Sequence, residues 1–126
     1  MSKPRLLVVD DEEHIRFALH RWFEACGFEV DLAEDGDIAV GKCKSGNYDV
    51  ITMDLVMPRM DGVAAISAIR NFDPHVPILV FSGYHEQAAE AVETGATRTL
   101  AKPLTLHELE REVRSVMVDR RHPAKD

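Results

Sequence analysis

Five residues carry the chemistry legible in this 126-residue sequence. Asp10-Asp11, Asp54, Ser82 and Lys102 each stand at the end of a short apolar run. Each alone has an ordinary explanation. Two aspartates before a helix suit a cap and the helix dipole. Asp54 and Ser82-Gly83 suit turns, and Lys102 before Pro103 suits a surface. A purely ordinary reading of all of them needs four independent coincidences along one edge. Three carboxylates within a few ångströms repel, and at least one pKa rises unless a cation is present. Carboxylates, a backbone carbonyl, waters and phosphate oxygens make a Mg²⁺ shell. Asp54 is then a candidate nucleophile, because carboxylates accept phosphoryl groups as acyl phosphates. Lys102 and the Ser82 hydroxyl are candidates to hold the equatorial phosphoryl oxygens. No Walker A motif or Gly-rich nucleotide loop is present, so a nucleotide bound by this chain is not the expected donor.

These residues converge only if the elements before them are neighbouring parallel strands. Leu6–Val9, Val50–Met53 and Ile78–Phe81 read as buried strands, Thr99–Ala101 as a short one, and Phe28–Ala33 as an alternating one. Ile15, Ala18, Leu19, Trp22, Phe23 and Cys26 follow helical spacing, closed by Gly27 in the C′ position. Asp35 is the expected N-cap of a second helix ending at Gly46, with Ala39, Val40 and Cys43 inward. A third helix turns Ile66 and Ile69 inward, and a fourth runs from His85 to Thr94. Thr105-Leu-His-Glu108 is a capping box, followed by the stripe Leu106, Leu109, Val113, Val116 and Met117. Five βα units imply a parallel sheet covered on both faces, and right-handed crossovers favour a flavodoxin-like doubly wound (βα)5 α/β fold. In such folds ligands bind at the carboxyl ends of the strands, where the five residues stand.

Composition agrees with one globular domain. The chain is 45% apolar and 29% charged, with a formal net charge of −7. The acidic balance speaks against direct nucleic acid binding and against an anionic membrane surface. No apolar run approaches the roughly 20 residues needed to span a bilayer, and Leu6–Val9 is too short for a signal sequence, so a cytoplasmic location is expected. Cys26 and Cys43 fit neither a disulfide framework nor a zinc site and are expected as small buried hydrophobes.

The residues also resemble a family. Val8-Val-Asp-Asp-Glu12, Met53-Asp-Leu-Val-Met-Pro58 with Asp61-Gly62, Phe81-Ser-Gly83, Gly95-Ala96 and Leu100-Ala-Lys-Pro103 are similar to the motifs of the receiver domain of bacterial two-component response regulators. The likeness runs in register from about Arg5 to Met117. It implies strand order 2-1-3-4-5 and phosphoryl transfer from a phosphohistidine on a sensor histidine kinase or histidine phosphotransfer protein. It makes Asp54 the phosphoacceptor. It makes Asp11, Asp54 and the Val56 backbone carbonyl direct Mg²⁺ ligands, with Asp10 acting mainly through water. Ser82 becomes the switch hydroxyl, Lys102 pairs with the phosphoryl group, and the Lys102-Pro103 bond is expected to be cis. The family usually carries Tyr or Phe three residues before the lysine, and this chain carries Thr99. Tyr84 is a candidate screen over the phosphoryl group.

The resemblance implies a signalling switch rather than an enzyme, with only phosphorylation from a donor and autodephosphorylation as chemistry. The alternative weighed against it is an aspartyl-phosphate phosphatase of the haloacid dehalogenase kind, which places a second acid where Val56 stands. A flavin module on the same fold lacks its phosphate-cradling loop. Residues 1–118 are the expected domain, and 119–126 a tail or the start of a linker to an output domain. A partner or homodimer that responds to phosphorylation is expected to dock on the face of helix four, strand five and helix five, where Ala88, Ala89 and Val92 offer apolar surface.

Overall fold

Short β-branched and aliphatic runs alternate with amphipathic stretches along the chain, and each pair becomes one strand and one covering helix. The computed structural model describes residues 3–57, 60–82 and 85–121. In chain order the elements are β1 (Arg5–Val9), α1 (Glu13–Ala25), β2 (Glu29–Ala33), α2 (Gly36–Ser45), β3 (Val50–Asp54), α3 (Gly62–Arg70), β4 (Ile78–Ser82), α4 (His85–Thr94), β5 (Arg98–Ala101) and α5 (Leu106–Arg121). The five strands form one sheet in the order β2-β1-β3-β4-β5, with every neighbouring pair parallel. The expected fold and strand order both hold.

The pleat divides the apolar residues between two layers. Leu7, Val9, Ile51, Met53, Ile78 and Val80 pack with Ala39, Ile66, Ile69 and Ala91 from α2, α3 and α4. Leu6, Val8, Val50, Leu79 and Phe81 pack with Leu19, Phe23, Leu109, Val113 and Met117 from α1 and α5. Both faces are dry along β1, β3 and β4, so these central strands read as nearly continuous apolar runs, while the edge strands β2 and β5 are partly exposed.

Local chemistry sets the helix ends. The Asp35 and Asp61 side chains accept the N–H groups of Ile38 and Ala64, each at 2.9 Å, and cap α2 and α3. Thr105 and Glu108 form the reciprocal capping box of α5 at 2.9 and 3.0 Å. Gly27 takes φ 98°, where a Cβ is strained, and turns the chain out of α1. Phe28 belongs to that turn rather than to β2, because its N–H bonds the Phe23 carbonyl at 2.9 Å. α5 continues to Arg121, past the boundary expected after residue 118. Pro58, Gly83, Tyr84 and residues 122–126 lie outside the described residues, and Ser82 is described only in its backbone.

The cysteines need correcting. Cys26 and Cys43 are half-buried rather than core residues. Cys26 caps the end of α1, and Cys43 lies against the α2–α4 layer at its margin. Burial still pushes the Cys43 thiol up to about 11, which keeps it protonated and a poor nucleophile.

One core residue breaks the apolar pattern. Thr52 is 1% exposed, sits between Val8 and Leu79 in the sheet, and its hydroxyl has no partner among the described residues. An unsatisfied buried hydroxyl is destabilising. Thr52→Val keeps the shape and removes that group. It is expected to raise stability by about 1 kcal/mol, seen as a higher urea midpoint at unchanged m-value.

Candidate functional site

Because β1, β3, β4 and β5 are adjacent or nearly so and run in one direction, their carboxyl ends share an edge. β1 delivers Asp10, β3 Asp54, β4 Ser82, and the segment after β5 Lys102. The alternation that sends Leu6 and Val8 toward α1 and α5 also directs Asp10 and Asp54 to that side of the sheet. One carboxylate oxygen each from Asp10, Asp11 and Asp54 lies within 4.8 Å of the other two. Asp10 and Asp54 are buried, at 5% and 6% exposure, while Asp11 is exposed.

Asp54 is held on both oxygens. Oδ1 accepts the Val56 N–H at 3.1 Å, and Oδ2 faces the Lys102 ammonium at 3.4 Å. Lys102 itself is half-exposed. The Lys102-Pro103 bond is cis, as the family resemblance implies. Asp10 Oδ1 accepts the Glu12 N–H at 2.9 Å. The Val56 side chain is half-exposed. Ser82 stands beside Ala101 at the end of β4. Thr99 is half-buried in β5, paired with Val80. A cavity of about 380 Å³ opens on the same side, lined by Asp10 and Lys102 together with Ile15, Leu19, Phe81 and Leu109.

The electrostatics follow from this packing. Burial pushes the Asp10 carboxyl above the usual carboxylate range, the Glu12 N–H opposes this, and the neighbouring charge of Asp54 adds to the rise. The donor set therefore fits a hard divalent cation: three oxygens are close together and one is reluctant to carry its charge alone. Sequence reasoning missed two contacts, the Glu12 N–H on Asp10 and a bond from the Arg16 side chain to the Asp10 carbonyl at 2.8 Å. An Asp two residues before the N-cap of a helix is a signal for the first; nothing in the pattern marks the second.

A doubly wound parallel sheet with carboxylates and a lysine gathered at its carboxyl edge defines a class of α/β domain whose ligands bind at that edge. Comparison with known proteins makes the class specific. The family model described as the response regulator receiver domain matches residues 6–114. The chain is 36% identical over 119 residues to the transcriptional regulatory protein PrrA of Mycobacterium leprae, covering 93% of this chain and 51% of that protein. It is 33% identical over 118 residues to the transcriptional regulatory protein ResD of Bacillus subtilis, covering 92% of this chain and 49% of that protein. Among solved structures, the receiver domain of the Francisella response regulator 1452 superposes with TM-score 0.84 at 30% identity, covering 91% of this chain and 97% of that one. The response regulator TrrA of Thermotoga maritima, in complex with Mg²⁺-BeF, superposes with TM-score 0.82 at 32% identity, covering 90% and 98%. The chain belongs to the response regulator receiver domain family. It is thus a signalling domain of two-component systems, and nothing supports the phosphatase alternative. The chain spans about half the length of the PrrA and ResD relatives. Among the described residues no helix is long and apolar enough to cross a membrane.

The raised Asp10 pKa has a sign that can be tested. A carboxyl whose pKa is higher folded than unfolded favours the fold below the ordinary carboxylate pKa of about 3.9, and that contribution is lost as pH rises through the folded value. Near neutral pH the ionised Asp10 therefore opposes the metal-free fold. Asp10→Asn can keep the bond from the Glu12 N–H without the charge. In EDTA at pH 7 it is expected to melt higher than the natural chain. The advantage should shrink on acidification toward pH 4, measured by thermal unfolding across pH.

Proposed function

We propose that this receiver domain accepts a phosphoryl group onto Asp54 from a phosphohistidine of a sensor histidine kinase or phosphotransfer protein and signals through the resulting conformational change. The observation that carries the reading is Asp54 itself, buried at the strand end with Lys102 at 3.4 Å and two further carboxylates within 4.8 Å. Asp11, Asp54 and the Val56 carbonyl would hold Mg²⁺ directly, and Asp10 through water. An ion held by these residues would offset the carboxylate charge and supply Lewis-acid stabilisation of a phosphoryl group.

The rest of the step belongs to the chain's own groups. The Val56 N–H holds Oδ1, and Oδ2 becomes free to attack phosphorus when Lys102 gives up its 3.4 Å contact. The P–O bond to Asp54 forms as the P–N bond to the partner's imidazole breaks. The electron pair returns to the ring nitrogen, so no base on this chain is needed. Lys102 exchanges its carboxylate contact for a phosphoryl oxygen, and the Ser82 hydroxyl takes another. Hydrolysis of the acyl phosphate is the only turnover proposed, and a cytoplasmic setting follows from the kinase partner.

The test uses acetyl phosphate as donor. With Mg²⁺ the natural chain should form a hydroxylamine-labile adduct, and EDTA should abolish it. Asp54→Asn keeps the shape and removes the nucleophile, so its labelling should fall at least 100-fold. Equal labelling of the variant would sink the assignment.

The proposed output surface is formed by α4, β5 and α5. Ala89 and Val92 are exposed on it, and Arg98 of β5 pairs with Glu112 of α5 at 2.6 Å. A homodimer or effector that binds the phosphorylated form would dock there. The short Thr99 cannot act as a swinging aromatic side chain, so the response is expected from Ser82 to Gly95, with little rearrangement at Thr99. Amide chemical shifts with and without beryllofluoride should therefore change most along α4. Changes confined to α1 and α2 would refute this route.

A further inference from the structure

We propose that Arg16 is a positioning residue for the metal site, acting on the main chain of Asp10 rather than on any carboxylate. The inference rests on the reading of Asp10, Asp11 and Asp54 as the Mg²⁺ site. Asp10 is restrained at three points. Its N–H bonds the Ala33 carbonyl at 3.1 Å, its Oδ1 accepts the Glu12 N–H at 2.9 Å, and its carbonyl accepts Arg16 Nη1 at 2.8 Å. The first two restraints belong to the sheet and the bend. Only the third ties the bend to the body of α1. Arg16 is half-buried, and its own N–H bonds the Glu12 carbonyl at 3.0 Å.

The geometry matters most for Asp11. Its side chain is exposed and has no hydrogen-bond partner among the described residues, so the backbone alone aims it. The Asp10 carbonyl is part of the peptide plane that leads into Asp11. Fixing that carbonyl fixes the plane, and with it the direction of the Asp11 carboxylate. Mg²⁺ demands near-octahedral geometry and tolerates misplaced ligands poorly. Among the described residues Arg16 forms no ion pair with the carboxylates. Its bond to the carbonyl leaves their oxygens available to a cation.

Charge and geometry make opposite predictions here. A guanidinium near three carboxylates competes electrostatically with a dication, so removing it for charge alone tightens Mg²⁺. Removing it as a positioning group weakens Mg²⁺. Groups that orient metal ligands typically cost 10–100-fold in affinity when lost.

The experiment is calorimetric titration of Mg²⁺ into the full chain, without any phosphoryl donor, at fixed ionic strength. Arg16→Met keeps much of the apolar stem and good helix propensity but has no donor; its affinity should fall about tenfold. Arg16→Lys can donate to the carbonyl and should recover most of the loss. Metal-free amide shifts should move at Asp11 and Glu12 in the Met variant and return toward the natural values in the Lys variant. Tighter binding by Arg16→Met, or a lower melting point in EDTA with unchanged affinity, overturns the proposal. Should the Met variant not fold, Arg16→Lys with unperturbed Asp11 shifts and natural affinity supports it, and a tenfold loss in a folded Lys variant overturns it. Asp11→Ala separates the two readings. If it leaves Mg²⁺ affinity unchanged, the site assignment fails and this inference with it. If it abolishes binding while Arg16→Met leaves affinity unchanged, only this inference fails.

Discussion

Like charges confined to a small volume set the terms for the rest of the molecule. Asp10, Asp11 and Asp54 bring an oxygen each within 4.8 Å of the others, and two of the three residues are buried. Left to themselves such groups separate or take up protons. They stay together because they terminate neighbouring parallel strands whose register is enforced by apolar layers on both faces. Moving β1 against β3 to relieve the repulsion would slide Leu6 to Val9 past Val50 to Met53 and disturb both layers at once. The free energy that holds the charges comes from hydrophobic burial elsewhere.

The restraint is not shared evenly. Asp54 is anchored by the sheet, by the Val56 N–H and by Lys102. The loop after it is closed by Gly62, whose N–H bonds the Leu55 carbonyl at 3.0 Å. A Cβ at Gly62 would come within 2.8 Å of the Leu55 Cα and 2.9 Å of the Asp54 carbonyl oxygen, so a larger residue would press on the backbone of Asp54 itself. Asp10 is fixed by its own strand and bend, while Asp11 lies on the exposed outer turn. The site thus combines one rigid wall with one that depends on the turn between β1 and α1. In the proposed metal site, the geometry of the ligands would be most sensitive to that turn.

Much of this was legible in the residues. Apolar runs that stop at Asp10, Asp54, Ser82 and Lys102 mark strand ends because burial ends where charge begins. The capping pair Thr105 and Glu108 reads directly because both bonds are local in sequence. The burial of Ile66, Ile69, Leu109 and Val113 follows from helical spacing. The contacts that stayed hidden are of another kind. Periodicity reports which face is dry, not which donor reaches which carbonyl, so Arg16 could not be assigned to the Asp10 carbonyl, and only an aspartate ahead of a helix marked the Glu12 N–H. Phe28 looked like the first strand residue because it is buried, yet its N–H still closes α1. Thr52 fits a strand by propensity, and nothing in its neighbours marks its hydroxyl as unpartnered.

How far a change at Asp54 can travel also follows from the packing. β4 and β5 are paired from Leu79–Arg98 to Ser82–Ala101, so Ser82 and Lys102 approach the edge on adjacent chains. Phe81 and Leu100 face the α1–α5 layer, whereas Val80 and Thr99 point to the other side. A displacement of Ser82 toward Asp54 therefore pulls on the start of α4 through the chain itself. At Thr99 the short side chain displaces little volume whichever way it turns. Arg98, paired with Glu112, further ties β5 to α5 and resists their separation. Under the proposed phosphorylation, the output would therefore concentrate at the β4–α4 junction, with β5 and α5 as the frame against which α4 would move.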